Sequence, residues 1–153
     1  MLAPLKVKDH MNGTKITFTP DMDILRAINQ LVEFKLSGAP VIDHHGNLIG
    51  FLSEKDCMKV ALNAAYQGEA AGQVGEFMNT TCATVDVDDS IIDVAQTFLS
   101  TAYKCLPVIK DNRLVGSITR QNILRALQTS SNIESSKKPA KQSTKQQIHV
   151  TTK

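Results

Sequence analysis

The chain has 153 residues, 42% hydrophobic and 21% charged, with a formal net charge of +2. That composition is ordinary for a soluble globular protein, and the length fits one domain or two small halves sharing a core. The charge is unevenly placed: residues 129–153 hold five lysines against one glutamate, leaving 12 basic and 14 acidic residues upstream, a body of net −2 that is not a basic nucleic-acid-binding surface.

No apolar run approaches the roughly 18 residues of a membrane-crossing helix. Met1 to Val7 lacks the basic-then-apolar pattern of a signal peptide. The expectation is a cytoplasmic protein with no membrane partner. Cys57, Cys82 and Cys105 are scattered and odd in number, which argues against a disulfide framework or a CxxC metal site.

The chain repeats itself. At an offset of 67, Val7, Met11, Asn12, Thr14, Thr17, Asp21, Ile24, Pro40, Val41 and Ile42 fall on Val74, Met78, Asn79, Thr81, Thr84, Asp88, Ile91, Pro107, Val108 and Ile109. One residue then drops out, and Leu48 and Gly50 match Leu114 and Gly116 at an offset of 66. Two copies this small pack on each other rather than fold apart.

Each copy reads β-α-β-β-α. In the first, Lys15 to Thr19 alternates as a short β-branched strand. Pro20 to Asp23 is a turn and helix start, with carboxylates where the helix dipole favours them. Ile24, Ala27, Ile28, Leu31 and Val32 form a helical apolar stripe, which Ser37-Gly38 ends. Pro40 to Ile42 is a strand, Asp43 to Asn47 a hairpin turn, and Leu48 to Leu52 the returning strand. Ser53 opens a helix running to about Ala65.

In the second copy Thr84 to Val87 is the strand, and Ile91, Val94, Ala95, Phe98 and Leu99 make the stripe. Leu106 to Ile109 and Leu114 to Ile118 form the hairpin, and Thr119 opens a helix ending near Gln128. The glycine-rich stretch Tyr66 to Gly75 links the halves. Boundaries are placed at 1–66, 67–128 and 129–153, the last a basic segment too polar to fold.

One local pattern occurs twice at a strand-to-helix junction. Gly50 precedes Ser53 by three residues and Asp56 follows it by three; Gly116, Thr119 and Asn122 repeat the spacing. Ser53 and Thr119 are N-cap candidates, and Asp56 sits at a capping-box position. The same geometry suits a nucleotide: free N–H groups at a helix start attract phosphate, Lys55 and Arg120 add positive charge, and Asp56 can accept from two ribose hydroxyls. Asn122, with one carbonyl acceptor, is a poorer diol clamp. Both uses can hold together.

Asp43-His44-His45 could suggest a metal, but adjacent turn residues point apart, and the expectation is no metal site. Cys105 is a buried apolar cysteine by default, with a reactive cleft thiol as the alternative. No catalytic constellation is recognisable.

Residues 1–128 resemble a tandem pair of cystathionine-β-synthase (CBS) domains, a Bateman module. The resemblance rests on Val7 to Met11 and Val74 to Met78, Thr17 to Asp21 and Thr84 to Asp88, Ser37 to Ile42 and Lys104 to Ile109, and the two Gly…Ser/Thr-x-x-Asp/Asn junctions. It implies an α/β (α+β) fold of two βαββα repeats related by a pseudo-twofold axis, with two clefts between them. It implies an adenosyl ligand: AMP, ADP, ATP or S-adenosylmethionine, regulatory rather than an obligatory cofactor. Carried over residue by residue, the better cleft takes ribose and phosphate from Ser53, Lys55 and Asp56, with Phe77, Met78, Tyr103, Lys104 and Cys105 as its base wall. The weaker uses Thr119, Arg120 and Asn122 against His10, Met11, Leu36, Ser37 and Gly38.

The resemblance further implies a homodimer and a separate client protein. The repeats and tail use up the chain, so no catalytic domain is expected. The function expected is a stand-alone, non-enzymatic regulatory module; the alternative is a ligand-free dimerisation or interaction module.

Overall fold

The computed structural model describes residues 5–69 and 72–130. A 3-10 turn, Val7–Asp9, precedes α1 (Ile24–Glu33), β1 (Gly38–Ile42), β2 (Leu48–Ser53) and α2 (Glu54–Gln67). Then come α3 (Val74–Phe77), β3 (Val85–Asp86), α4 (Ile91–Ser100), β4 (Cys105–Lys110), β5 (Arg113–Thr119) and α5 (Arg120–Ser130). The fold is mixed α+β and built of two repeats. β1 and β2 form an antiparallel pair; β3, β4 and β5 form a sheet in that order, with β3 parallel to β4.

The first strand expected in the first copy does not form. Phe18 alone bridges Val41, its N–H donating to Pro40 O at 3.0 Å and its carbonyl accepting from Ile42 N at 2.9 Å. In the second copy Val87 N continues the ladder by donating to Ile109 O at 3.2 Å. The residue matching Val87 at the offset of 67 is Pro20, which has no N–H to donate.

Helix boundaries also differ in detail. α1 is capped by Asp23, whose carboxylate accepts from Arg26 N at 3.3 Å. It ends at Glu33, stopped by the turn at Lys35, rather than at Ser37-Gly38. Lys35 takes a left-handed φ of 55°, Leu36 N donates to Leu31 O at 3.0 Å, and Lys35 N to Val32 O at 3.3 Å, the two bonds of a Schellman cap. Ser37 is thereby freed to precede β1, which Gly38 opens. α5 reaches Ser130, two residues into the segment read as a tail from Thr129; residues 131–153 lie outside the described residues.

The residue missing from the second hairpin is explained by its turn. Asp111 and Asn112 both have positive φ, 51° and 68°, the signature of a tight two-residue turn. The first hairpin instead wraps Asp43 to Asn47 around the Asp43 carboxylate, whose Oδ1 accepts from His45 N and Asn47 N, each at 2.9 Å. Those bonds hold the Asp43 carboxyl below the ordinary carboxylate range.

Two apolar cores result, and each draws on both halves. Phe18, Ile24, Ala27, Leu31, Val41, Leu52, Cys57 and Val60 form the first, completed by Val74 from the other copy. Val85, Ile91, Val94, Phe98, Leu106, Val108, Ile118 and Ile123 form the second, completed by Val7. The exchange is held by matched backbone bonds: Val7 N to Asp89 O and Val74 N to Met22 O, at 3.0 and 2.9 Å; Lys8 N to Val87 O and Gly75 N to Pro20 O, at 2.9 and 2.8 Å. The hairpin tips meet by the same symmetry, Leu48 N donating to Asn112 O and Leu114 N to Gly46 O. Among the described residues no helix is long and apolar enough to cross a membrane.

Candidate functional site

The repeated glycine of the junction pattern has a packing cause. Asn79 lies against Phe51, exchanging two backbone bonds at 2.9 Å, and Asn12 lies against Ser117 in the same way at 2.8 and 3.0 Å. A Cβ on Gly50 would stand 2.6 Å from Met78 Sδ and 3.2 Å from Asn79 O. A Cβ on Gly116 would strike the Asn12 carbonyl oxygen, and Met11 Sδ at 3.2 Å. Only glycine admits the other copy's leading segment so close. This crossing brings the end of one repeat's hairpin beside the other repeat and creates a cleft.

That cleft is a cavity of about 650 Å³, within the ordinary range for a small-molecule site. One wall is Ser53, Glu54, Lys55 and Asp56, with Ser37 and Phe51 of the same repeat. The facing wall comes from the second repeat: Asn79 and Thr81 to Ala83 ahead of β3, and Thr101 to Pro107 leading into β4. Of the better-site residues read from the sequence, Ser53, Lys55, Asp56, Tyr103, Lys104 and Cys105 are brought together here. Phe77 and Met78 are not on its lining; they pack against the first core. Their apolar character signals core packing as readily as a base wall.

Ser53 and Asp56 form the capping box the spacing predicts. Asp56 N donates to Ser53 Oγ at 3.1 Å, while Asp56 Oδ2 accepts from Ser53 N at 3.0 Å and from Ser53 Oγ at 2.9 Å. Both carboxylate bonds use Oδ2; among the described residues Oδ1 makes none. The wall therefore presents a helix N-terminus whose Glu54 and Asp56 N–H groups already donate to Ser37 O and Ser53 Oγ, together with a lysine and one uncommitted carboxylate oxygen. This combination can receive a phosphate and a hydroxyl-bearing sugar.

Lining residues that sequence reasoning missed include Asn79, Thr81 and Cys82. Asn79 and Thr81 are themselves repeat matches, of Asn12 and Thr14, and that was the available signal. Asn79 Oδ1 accepts from Thr81 N at 2.9 Å, bending the chain across the cleft mouth. Burial pushes the Cys105 thiol up against an opposing hydrogen bond with Ser117, and burial pushes Cys82 up as well.

The second junction is built the same way but differently filled. Thr119 and Asn122 form the equivalent box, Asn122 Oδ1 accepting from Thr119 N at 2.8 Å and from Thr119 Oγ1 at 3.0 Å, while Asn122 N donates to Thr119 Oγ1 at 3.2 Å. Asn122 is only 4% exposed, and its amide pairs with that of Asn12. Arg120 turns to the rim of the first cleft, where Nη2 donates to the Tyr103 carbonyl at 3.0 Å. Met11 packs against the second core and Leu36 against the first. His10 closes the Val7–Asp9 turn, its N–H donating to Val7 O. Gly38 pairs with Ser53 across β1 and β2, and Ser37 lines the first cavity. His44 and His45 tilt together with ring centroids 4.0 Å apart. Among the described residues no group of three or more His, Cys, Asp or Glu is placed to hold a metal.

The CBS domain family model matches twice, at residues 7–63 and 74–129. A chloroplastic CBS domain-containing protein of Arabidopsis thaliana, CBSX1, is 30% identical over 145 residues, covering 78% of this chain and 60% of its own length. The chain spans less than half the length of other curated relatives it matches. Among solved structures, the Arabidopsis thaliana CBS-pair protein CBSX2 in complex with AMP aligns with a TM-score of 0.71 at 29% identity, over 82% of this chain and 97% of that one. The CBS domain pair of protein MJ0100, in complex with 5-methylthioadenosine and S-adenosyl-L-methionine, aligns at 0.65 and 26% identity, over 83% and 98%.

Proposed function

The chain belongs to the CBS domain family, with two copies in tandem, and on that premise we propose that it is a non-catalytic regulatory module binding an adenosyl ligand in the cleft between its repeats. The observation that carries this reading is the cavity of about 650 Å³, with Ser53, Lys55 and Asp56 on one wall and Tyr103, Lys104 and Cys105 on the other. Phosphate or another anionic group sits at the start of α2 beside Lys55; the ribose hydroxyls bond Asp56 Oδ1; the base lies against Tyr103 to Cys105. The AMP complex of CBSX2 and the adenosyl complexes of MJ0100 support that ligand class. Binding shifts the relation of the two repeats, and a separate protein reads the shift, which requires the ligand to favour one arrangement over the other.

Two molecules join through their helices in this reading. Its support is the exposure of large apolar side chains there: Val32 on α1, Met58, Leu62 and Tyr66 on α2, Leu99 on α4 and Leu124 on α5.

Titration calorimetry of nucleotide-stripped protein with AMP, ADP, ATP and S-adenosylmethionine tests the ligand, with Asp56→Ala as the control. Micromolar binding of one of them, lost in the variant, is the expected result. A second reading, an interaction module with an empty cleft, is favoured by the way Ser53 and Asp56 satisfy each other without a ligand. Absence of heat with all four ligands selects it.

A further inference from the structure

Two of the three cysteines line the same cavity, one on each of two neighbouring segments of its second-repeat wall. β3 runs parallel to β4 with Val85 opposite Val108 and Asp86 opposite Ile109. Continuing that register back three residues sets Cys82 opposite Cys105. The sides agree as well. Val85 and Val108 face the second core. An odd step along an extended chain turns a side chain to the other face, here the face that borders the cleft. Paired strands lie about 4.8 Å apart, inside the span over which a disulfide closes, and Cys82 stands three residues beyond the last such pair. The ladder stops at Val85, so at Cys82 the chain is free of ladder bonds and can adjust. Neither thiol is fully buried, unlike Cys57 on α2.

We propose that Cys82 and Cys105 form a dithiol modification site that closes to an intramolecular disulfide and thereby reshapes the cleft wall against which the ligand lies. The partner is a small-molecule disulfide such as oxidised glutathione. One cysteine loses its proton, and its thiolate attacks a sulfur of that disulfide; the disulfide bond breaks and one glutathione thiolate leaves. The second cysteine's thiolate then attacks the mixed disulfide, forming the protein S–S bond and expelling the other glutathione. The two protein thiols are oxidised, one oxidised glutathione is reduced to two thiols, and the two protons go to the leaving thiolates. The bridge draws the segment ahead of β3 onto the start of β4, where the proposed base wall lies. This last consequence rests on the ligand reading above.

The test is incubation of the full chain with oxidised glutathione, followed by non-reducing tryptic peptide mapping. The three cysteines fall in separate peptides: Asp56–Lys59, Val60–Lys104 and Cys105–Lys110. The expected product joins Val60–Lys104 to Cys105–Lys110 within one molecule, disappears in Cys82→Ser and in Cys105→Ser, and persists in Cys57→Ser. Bridges through Cys57, bridges between molecules, or glutathione adducts on Cys82 and Cys105 that never resolve would overturn the proposal. AMP calorimetry on reduced and bridged protein adds the second readout: binding lost on bridging and restored by dithiothreitol is expected, and unchanged binding on bridged protein overturns the gating. Reduced protein that binds none of AMP, ADP, ATP and S-adenosylmethionine overturns the nucleotide reading and the gating with it, while the peptide map decides the dithiol independently.

Discussion

Asn12 and Asn122, 110 residues apart in sequence, pair their amides: Asn12 Nδ2 donates to Asn122 Oδ1 at 3.2 Å, and Asn122 Nδ2 to Asn12 Oδ1 at 3.4 Å. Their counterparts in the other cleft, Asn79 and Asp56, make no such pair. Asn79 bonds Thr81 and Asp56 bonds Ser53, and both line the cavity. A single Asp-to-Asn difference thus accompanies two states of one architecture, a junction closed by side chains and a junction left open.

Removing the amide of Asn12 leaves the Asn122 Nδ2 buried without its partner. An unsatisfied buried polar group costs about 1–3 kcal/mol. Asn12→Ala is therefore expected to lower unfolding stability by that amount in urea, and Asn79→Ala, which orphans no buried group, by much less. Equal losses would show that the amide pair contributes nothing special.

Asp56→Asn separates capping from ligand binding. Asn122 shows that an amide oxygen at this position accepts both Thr119 bonds, so the variant keeps its cap and its melting temperature. It loses the carboxylate proposed to accept from the ribose diol, so AMP binding is expected to weaken while 2′-deoxy-AMP binding changes little. Calorimetry with both nucleotides checks this, and equal weakening for both sugars removes Asp56 from the ribose.

Gly50→Ala and Gly116→Ala test the close crossings. The added methyl at Gly50 meets chiefly a flexible thioether, whereas at Gly116 it meets a backbone carbonyl. Overpacking of this kind costs about 1–3 kcal/mol. Gly116→Ala is expected at the upper end and Gly50→Ala at the lower. Chemical denaturation of the pair gives the order directly, and the reverse order would contradict the packing described.

Cys57 adds a pH dependence. Desolvation raises its thiol from 9.0 to about 11, with the neighbouring charges of Asp56 and Glu54 acting in the same direction. The folded thiol stays protonated where the unfolded one has ionised, so the unfolded state binds fewer protons. Its contribution to stability is complete below pH 9 and is lost as pH rises towards 11. Cys82 and Cys105 are shifted the same way. The measurement is therefore the difference between wild type and Cys57→Ala across that range, which should narrow as pH rises.

The repeat, the order of elements and the capping boxes were legible because they depend on local spacing and on residues matched between the copies. The missing first strand was not, because it turns on whether Pro20 must donate to a ladder that only the tertiary fold defines. Lys35 carries no helix-stop signal in the sequence, because glycine is the usual left-handed residue and Gly38 stands nearby. In the cleft, the polar wall from Ser53 to Asp56 followed from its motif. That Phe77 and Met78 pack against the first core and not on the cavity was not legible, because an apolar side chain in a leading segment carries no mark of which side it faces.

The exchange of Val7 and Val74 between the cores makes this molecule one cooperative unit written as two copies. Cut at Gly68, the chain would yield two pieces that each lack a buried valine held by the other, and they would stay together or unfold together. Neither copy has its core complete without the leading valine of the other.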